Sequence, residues 1–336
     1  MTVVKMKKHR INYIDRMKGM AIFIVVLAHV FLFSFDMEDS LCFRFCASFE
    51  MPLFMFVSGF VAYIHSDVYG KEEINRKLSL RIISYLCPAF AITWSLALYK
   101  YVVLAIHDLD IVGTLIEGLW YLKALAIFIC IQFILVRCRK LTQELAVIIL
   151  AECLFLIGWK MCPFIYKLFC LEHCFFFFPF FIMGYYFRMY KLEKVLTSRN
   201  WLFSISIIGF VCLLNVNFEY HALRFISERF VRPIFAILAI TYIFANREGR
   251  DSKLDQWFSH IGKKTLDIYI YHGIFIVGTF SIFDLKFICD NEVIMSNPLS
   301  LLILATLITF FLMYISIAIG ALVRKSNLLR KIVYGK

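Results

Sequence analysis

Two ionisable residues stand out because their surroundings are apolar. His29 closes the run Gly19-Met-Ala-Ile-Phe-Ile-Val-Val-Leu-Ala-His29, and Glu50 opens the run Glu50-Met-Pro52. An ionisable group inside an apolar span is costly, so it usually faces a cavity or a partner. A neutral imidazole in such a place can take a proton from a hydroxyl and act as a general base. A plainer role also fits: a neutral histidine hydrogen-bonded to the next helix. Each of the two residues lies about 8–9 Å from the same-side end of its helix, at 1.5 Å per residue. The loop between them is short, which makes the helices antiparallel neighbours. On that reading Glu50 accepts a hydrogen bond from one ring nitrogen of His29 and sets its tautomer. The alternative is a solvated Glu50 at the membrane interface.

The remaining charges near apolar runs fall into small groups. Asn12 can cap the first helix, with Asp15 in its first turn favoured by the dipole. Arg16 and Lys18 follow, either orienting the chain or holding an anion. Asp15 precedes His29 by 14 residues, about 21 Å of helix, so it cannot touch that ring. Arg76, Lys77 and Arg81 form a basic cluster that either flanks a span or clamps phosphates. Lys123 sits near a helix end and can snorkel. Glu152, Asp267 and His272 complete the set, and His272 suits packing and function equally. Carboxylates in series are few, which argues against a proton-driven pump. Broken helix pairs of the transporter kind are missing. One histidine, one nearby carboxylate and a basic rim fit group transfer better.

Those residues must be positioned by helices in a membrane. Of 336 residues, 62% are apolar, 18% aromatic and only 18% charged. Soluble domains run near 45–50% apolar and about 25% charged. This excludes a soluble enzyme, a disordered chain and a nucleic-acid-binding domain, despite a pI near 9.1. Ten apolar runs approach the ~20 residues a spanning helix needs. They cover 19–35, 45–65, 82–104, 119–136, 144–159, 172–187, 201–216, 231–245, 265–283 and 298–323. Two are short, so nine or eleven spans also fit. The runs lack the period-2 alternation of a membrane barrel. The expected fold is therefore all-α: a polytopic transmembrane bundle of about ten spans, forming a single domain over 1–336.

Charge gives that bundle a direction. With the N-terminus in the cytoplasm, 27 of the 36 Lys and Arg residues fall on cytoplasmic segments. That is a strong positive-inside bias, and it puts both termini on the basic side. The acidic stretches Asp36-Met37-Glu38-Asp39 and Asp108-Leu109-Asp110 then lie outside. The first span reads as an uncleaved signal anchor, since no cleavage site follows it. The chain has 11 cysteines, most of them inside apolar runs, where Cys behaves as a small hydrophobe. Cys162, Cys170, His173 and Cys174 gather near one outer loop, where packing, a disulfide or a metal all fit. The paired spacing of a zinc site is missing, so no metal is expected.

At these residues the chain resembles the acyltransferase 3 family of integral-membrane acyltransferases. Its opening pattern maps onto Asp15, Lys18, Gly19 and His29, in YIDRMKGMAIFIVVLAH. FEMPLFMFVSGF resembles the second motif, with Met51, Pro52, Phe54, Ser58 and Gly59. LWYLKALAIF carries Trp120, Tyr121, Leu122 and Leu125. FFFFPFFIMGYYF (Pro179, Phe181, Gly184) and LDIYIYHGIF (Tyr269, His272) resemble the later helices. Each motif alone is weakly specific, while their order and spacing together are much stronger. Glu50 stands where the family often has histidine. Arg76, Lys77, Arg81 and Pro88 are spaced differently from the family's arginine pair and proline.

The resemblance implies transfer of an acyl group, usually acetyl, from cytoplasmic acyl-CoA to a hydroxyl of a cell-surface or lipid-linked sugar. His29 would act on the hydroxyl, with Glu50 beside it. Lys18, Arg76, Lys77 and Arg81 would hold donor phosphates. Asp15, Ser58, Trp120, Lys123, Tyr269 and His272 would line the site, and Ser58 and Gly59 would let helices pack closely. Acetyl-CoA would be a co-substrate, with no bound cofactor. The setting implied is the bacterial inner membrane, with the lipid bilayer and a glycan as partners and no nucleic acid. A flippase for an acyl donor or lipid-linked sugar is the alternative, and a subunit without turnover is a third.

Overall fold

The computed structural model describes residues 11–64, 70–102, 118–216, 220–249, 252–276 and 298–335. Among them the chain is helical and holds no strand. Helix α1 spans Asn12–His29 and continues as a π-turn over Val30–Ser34. α2 (Leu41–Ala47), α3 (Glu50–Ala62), α4 (Lys71–Val102) and α5 (Trp120–Leu135) follow. Next come α6 (Leu141–Met161), α7 (Pro163–Leu168), α8 (Leu171–Met189), α9 (Leu192–Thr197) and α10 (Asn200–Asn215). The chain closes with α11 (His221–Ile226), α12 (Arg232–Asn246), α13 (Lys253–Gly262), α14 (Thr265–Ile276), α15 (Pro298–Lys325) and α16 (Asn327–Tyr334). Each of the ten apolar runs carries a helix. Five helical stretches among the described residues are long and apolar enough to cross a membrane: Asn12–Ser34, Leu41–Ala62, Lys71–Tyr99, Leu141–Gly158 and Leu299–Lys325. The acidic stretch Asp108–Asp110 and the end of the ninth run, from 277 on, lie outside the described residues.

Two helix crossings form the centre. α3 packs along α8, and α1 packs along α13. Both crossings are close because glycines face backbone. A Cβ on Gly59 would fall on the carbonyl oxygen of Phe181, and one on Gly184 on that of Phe56. Likewise Gly19 faces the Phe258 carbonyl, and Gly262 faces that of Asp15. At the α3–α8 crossing, inside the apolar runs, helices associate through such close packing and not through a hydrophobic drive. This bears out the packing role read for Gly59.

The start of α1 is tied down differently from the expectation. Asn12 is the first helical residue, not the cap, and Ile11 before it offers no side-chain cap. The carboxylate of Glu248 accepts the free N–H of Tyr13 instead, at 3.2 Å. A distant acid thus does the work that a local cap does elsewhere. Arg16 is nearly fully buried. It donates to the Arg247 carbonyl at 3.0 Å and lies 3.8 Å from Asp255. Asp255 also caps α13 through Ser252, whose hydroxyl donates to it at 2.6 Å.

A second polar knot holds the C-terminus. Asp267 on α14 is fully buried and takes both guanidinium nitrogens of Arg324, one at 2.7 Å. The Tyr334 hydroxyl donates to the same carboxylate at 2.8 Å. Tyr334 ends α16, which lies along α4. The knot therefore fixes α4 relative to α14, the helices of Arg81 and His272.

The Asp255 knot makes a measurable prediction. Burial works against the Asp255 charge, but the Ser252 hydrogen bonds and the charges of Arg16 and Arg247 outweigh it, so the carboxyl titrates below its ordinary range. A carboxyl lowered on folding adds stability that is whole above the unfolded value and is lost as pH falls through the folded one. Asp255→Asn should therefore cost about 3 kcal/mol at neutral pH. Thermal melts of the purified protein should show that gap narrowing in acid.

Candidate active site

The site grows from a short cation-bearing cavity and a histidine pair beyond it. The cavity holds about 190 Å³ and is lined by Lys18 of α1, Ser58 of α3, Arg81 and Tyr85 of α4, Tyr121 of α5 and Tyr269 of α14. Five helices meet there, so no single segment of sequence carries the site. Phe54, Leu122 and Leu125 give it an apolar wall.

Arg81 reaches the cavity because it also ends a helix. Its guanidinium donates to the carbonyl of Ala62 at 2.7 Å and to that of Val61 at 3.4 Å. These carbonyls lie in the last turn of α3, where the helix offers them no partner of its own and its dipole favours a cation, and Gln132 also donates to that of Ala62. The rest of the expected basic cluster goes elsewhere. Arg76 is exposed and lies 4.0 Å from Glu73, while Lys77 pairs with Glu73 at 3.0 Å. Neither lines the cavity. Arg76 is five residues from Arg81 and so faces another way, while Lys77, four away, is drawn back along the helix to Glu73.

The hydroxyls of the cavity form an ordered set. Ser58 donates to the Phe54 carbonyl at 2.8 Å, as a helical serine commonly does. Its oxygen lies 2.6 Å from the Tyr121 hydroxyl. Ser58 has spent its proton, so Tyr121 is the donor in that pair. The Tyr121 backbone N–H donates in turn to the Tyr269 hydroxyl at 3.3 Å. The rings of Tyr121 and Tyr269 pack with centroids 5.0 Å apart.

His272 follows Tyr269 by one turn of α14, their rings 6.1 Å apart. Its Nδ1 lies 2.7 Å from the Ile268 carbonyl oxygen. A carbonyl only accepts, so Nδ1 carries the proton. In the neutral ring Nε2 is then an acceptor. It sits 2.9 Å from Nδ1 of His29, and the two rings are within 10° of parallel. His29 must donate through Nδ1, which leaves its Nε2 with a bare lone pair. These tautomers follow from the hydrogen-bond pattern. His272 is buried at 3% exposure, while His29 keeps part of its surface open. The π-turn Val30–Ser34 begins directly after His29. Such wide turns recur at functional sites.

This corrects the pairing expected from sequence. His29 bonds His272, and Glu50 does not reach it. Glu50 lies buried in the first turn of α3, where the dipole favours an acid, and its Oε2 has no partner. Equal depth in neighbouring helices did not ensure facing sides. Lys123 is also not a snorkelling residue. It is buried at 1% exposure and hydrogen-bonds Cys170. Trp120 stacks on Phe177, centroids 5.2 Å apart, and meets His173 at 4.4 Å. Asp15 is buried in the α1–α13 crossing, away from the cavity lining. Tyr85 was not foreseen, though it lies four residues past Arg81 and so shares its face. The ten described cysteines form no disulfide with one another. No group of three or more His, Cys, Asp or Glu side chains converges as a metal site would, among the described residues.

The arrangement can hold an anion at Lys18 and Arg81 and can take a proton at His29. A family model for the acyltransferase domain matches residues 11–320. Searches of curated proteins and of solved structures gave no match. A match over almost the whole chain, on a helical scaffold with spans of membrane length, shows that this protein belongs to the acyltransferase 3 family, the membrane type of acyltransferase.

Proposed function

We propose that the protein moves an acyl group, acetyl foremost, from cytoplasmic acyl-CoA to a hydroxyl of a cell-surface or lipid-linked sugar. The observation that carries this reading is the His29–His272 pair beside a cavity lined by Lys18 and Arg81. The wider frame is a ten-span bundle of a bacterial inner membrane, with both termini in the cytoplasm. The positive-inside bias supports that orientation. The cavity then lies nearer the cytoplasm, and His29, about 16 Å along α1 from Lys18, nearer the outside.

In this scheme Lys18 and Arg81 bind the donor phosphates by charge-assisted hydrogen bonds. The thioester extends along the cavity toward His272. The sugar hydroxyl gives its proton to Nε2 of His29, and its oxygen bonds to the thioester carbonyl carbon. The tetrahedral intermediate collapses, the C–S bond breaks, and the departing thiolate takes the proton from His29. His272 holds Nδ1–H of His29 throughout, so the same nitrogen always faces the substrate. No acyl-enzyme forms. Acetyl trapped on a histidine or cysteine of the pure protein would contradict direct transfer.

Two sets of variants check this reading by transfer assays on purified protein. His29→Ala should lower kcat by about a hundredfold or more, the usual worth of a general base, with membrane insertion intact. Glu50→Gln should stay within about threefold of wild type. Separately, Arg81→Gln should raise the donor KM by about tenfold or more, the worth of a hydrogen bond between charged groups. Arg76→Gln should not. Equal effects at 76 and 81 would remove Arg81 from the donor site.

A further inference from the structure

We infer that the Tyr269 hydroxyl is the hydrogen-bond donor that receives the carbonyl oxygen of the acyl group during transfer. The inference rests on the acyl-transfer reading and adds to it a group for the charge that develops away from the base. Attack on a thioester moves an electron pair onto the carbonyl oxygen. A fixed donor aimed at that oxygen is often the largest single contribution to such reactions.

The case begins with which hydroxyls are already committed. Ser58 gives its proton to the Phe54 carbonyl, and Tyr121 gives its own to Ser58. Neither is left to donate. Tyr85 stands on α4 beside Arg81, at the basic part of the cavity, where the phosphates are proposed to bind. Tyr269 differs on both counts. Its oxygen accepts the Tyr121 N–H at 3.3 Å, and no acceptor among the described residues takes its proton. It lines the cavity and also neighbours His272, ring centroids 6.1 Å apart.

The hydroxyl is held as such a donor must be. The phenol ring packs between Tyr121 and His272, at 56° and 50° to them. The Tyr121 N–H occupies one lone pair of the oxygen, which limits how the O–H can rotate. Tyr269 is 7% exposed, so little water competes for the bond. A donor set in advance costs no reorganisation as charge appears. In the step itself the sugar oxygen bonds to the carbonyl carbon, the carbonyl π pair moves to oxygen, and Tyr269 O–H bonds that oxygen without losing its proton. When the pair returns, the C–S bond breaks and the thiolate leaves with the proton held by His29.

The test uses the full chain in lipid nanodiscs and acetyl-CoA labelled with ¹³C at the carbonyl. Without acceptor, the bound thioester C=O band should lie at lower frequency than in solution, and Tyr269→Phe should return it toward the solution value. With acceptor, Tyr269→Phe should lower kcat by about a hundredfold and leave the donor KM within about threefold, as loss of one oxyanion donor does. Difluorotyrosine at 269, a stronger donor of the same shape, should move the band further down. It covers the case in which the Phe variant fails to fold. A band unmoved by either change, or a Phe variant with wild-type kcat, overturns the assignment while acyl transfer stands. A wild-type protein that transfers no acyl group overturns both.

Discussion

One directed hydrogen bond gives the site its chemistry. The Ile268 carbonyl takes the proton of His272 Nδ1, and that fixes which nitrogen of His272 accepts. His29 must then point its own N–H inward, and its second nitrogen is left with a free lone pair. The order runs one way because a backbone carbonyl cannot donate. A carboxylate partner would set the same tautomer through charge. Here a neutral ring and a helix carbonyl do it, which avoids placing a second charge deep among apolar helices.

Everything else in the fold serves to keep that contact and the cavity beneath it in register. α1 carries both Lys18 and His29, and α14 carries both Tyr269 and His272, so each helix contributes once to the cavity and once to the pair. α1 is held against α13 by facing glycines and by Arg16 buried on Arg247 and Asp255. α14 is held by Asp267, locked to Arg324 and Tyr334. Because Tyr334 sits on a helix packed along α4, the knot also sets where Arg81 stands. Two buried charge clusters, each costly alone, are compensated within themselves and act as pins.

Much of this was legible in the sequence, for one reason: polar groups are rare in an apolar chain and advertise themselves. His29, Lys18 and Arg81 could be picked out that way, and the helical class followed from continuous apolar runs. The partner of His29 could not, since His272 lies 243 residues away and nothing local marks the contact. Depth and a short loop favour Glu50, but depth says nothing of the angle around a helix axis. Arg76 and Arg81 form one cluster only along the chain. The helix turns them to different neighbours, one to Glu73 and solvent, the other to the end of α3. Tyr85 stands in none of the motifs, and in a chain this rich in aromatics it looks like packing; Tyr121 stands in a motif, but nothing local tells it from its neighbour Trp120 as the one that lines the cavity. Membership of the acyltransferase 3 family, by contrast, lay in the order of motifs along nearly the whole chain.

The central claim is that His29 presents a bare Nε2 while its Nδ1–H is held by His272. Solid-state NMR of protein with ¹⁵N-labelled histidine, in lipid at neutral pH, reads this directly. Resonances of His29, assigned by their loss in a His29 variant, should report a protonated Nδ1 and an unprotonated Nε2. They should also show a coupling across the hydrogen bond to Nε2 of His272. A His29 protonated on Nε2, with no coupling to His272, would contradict the account.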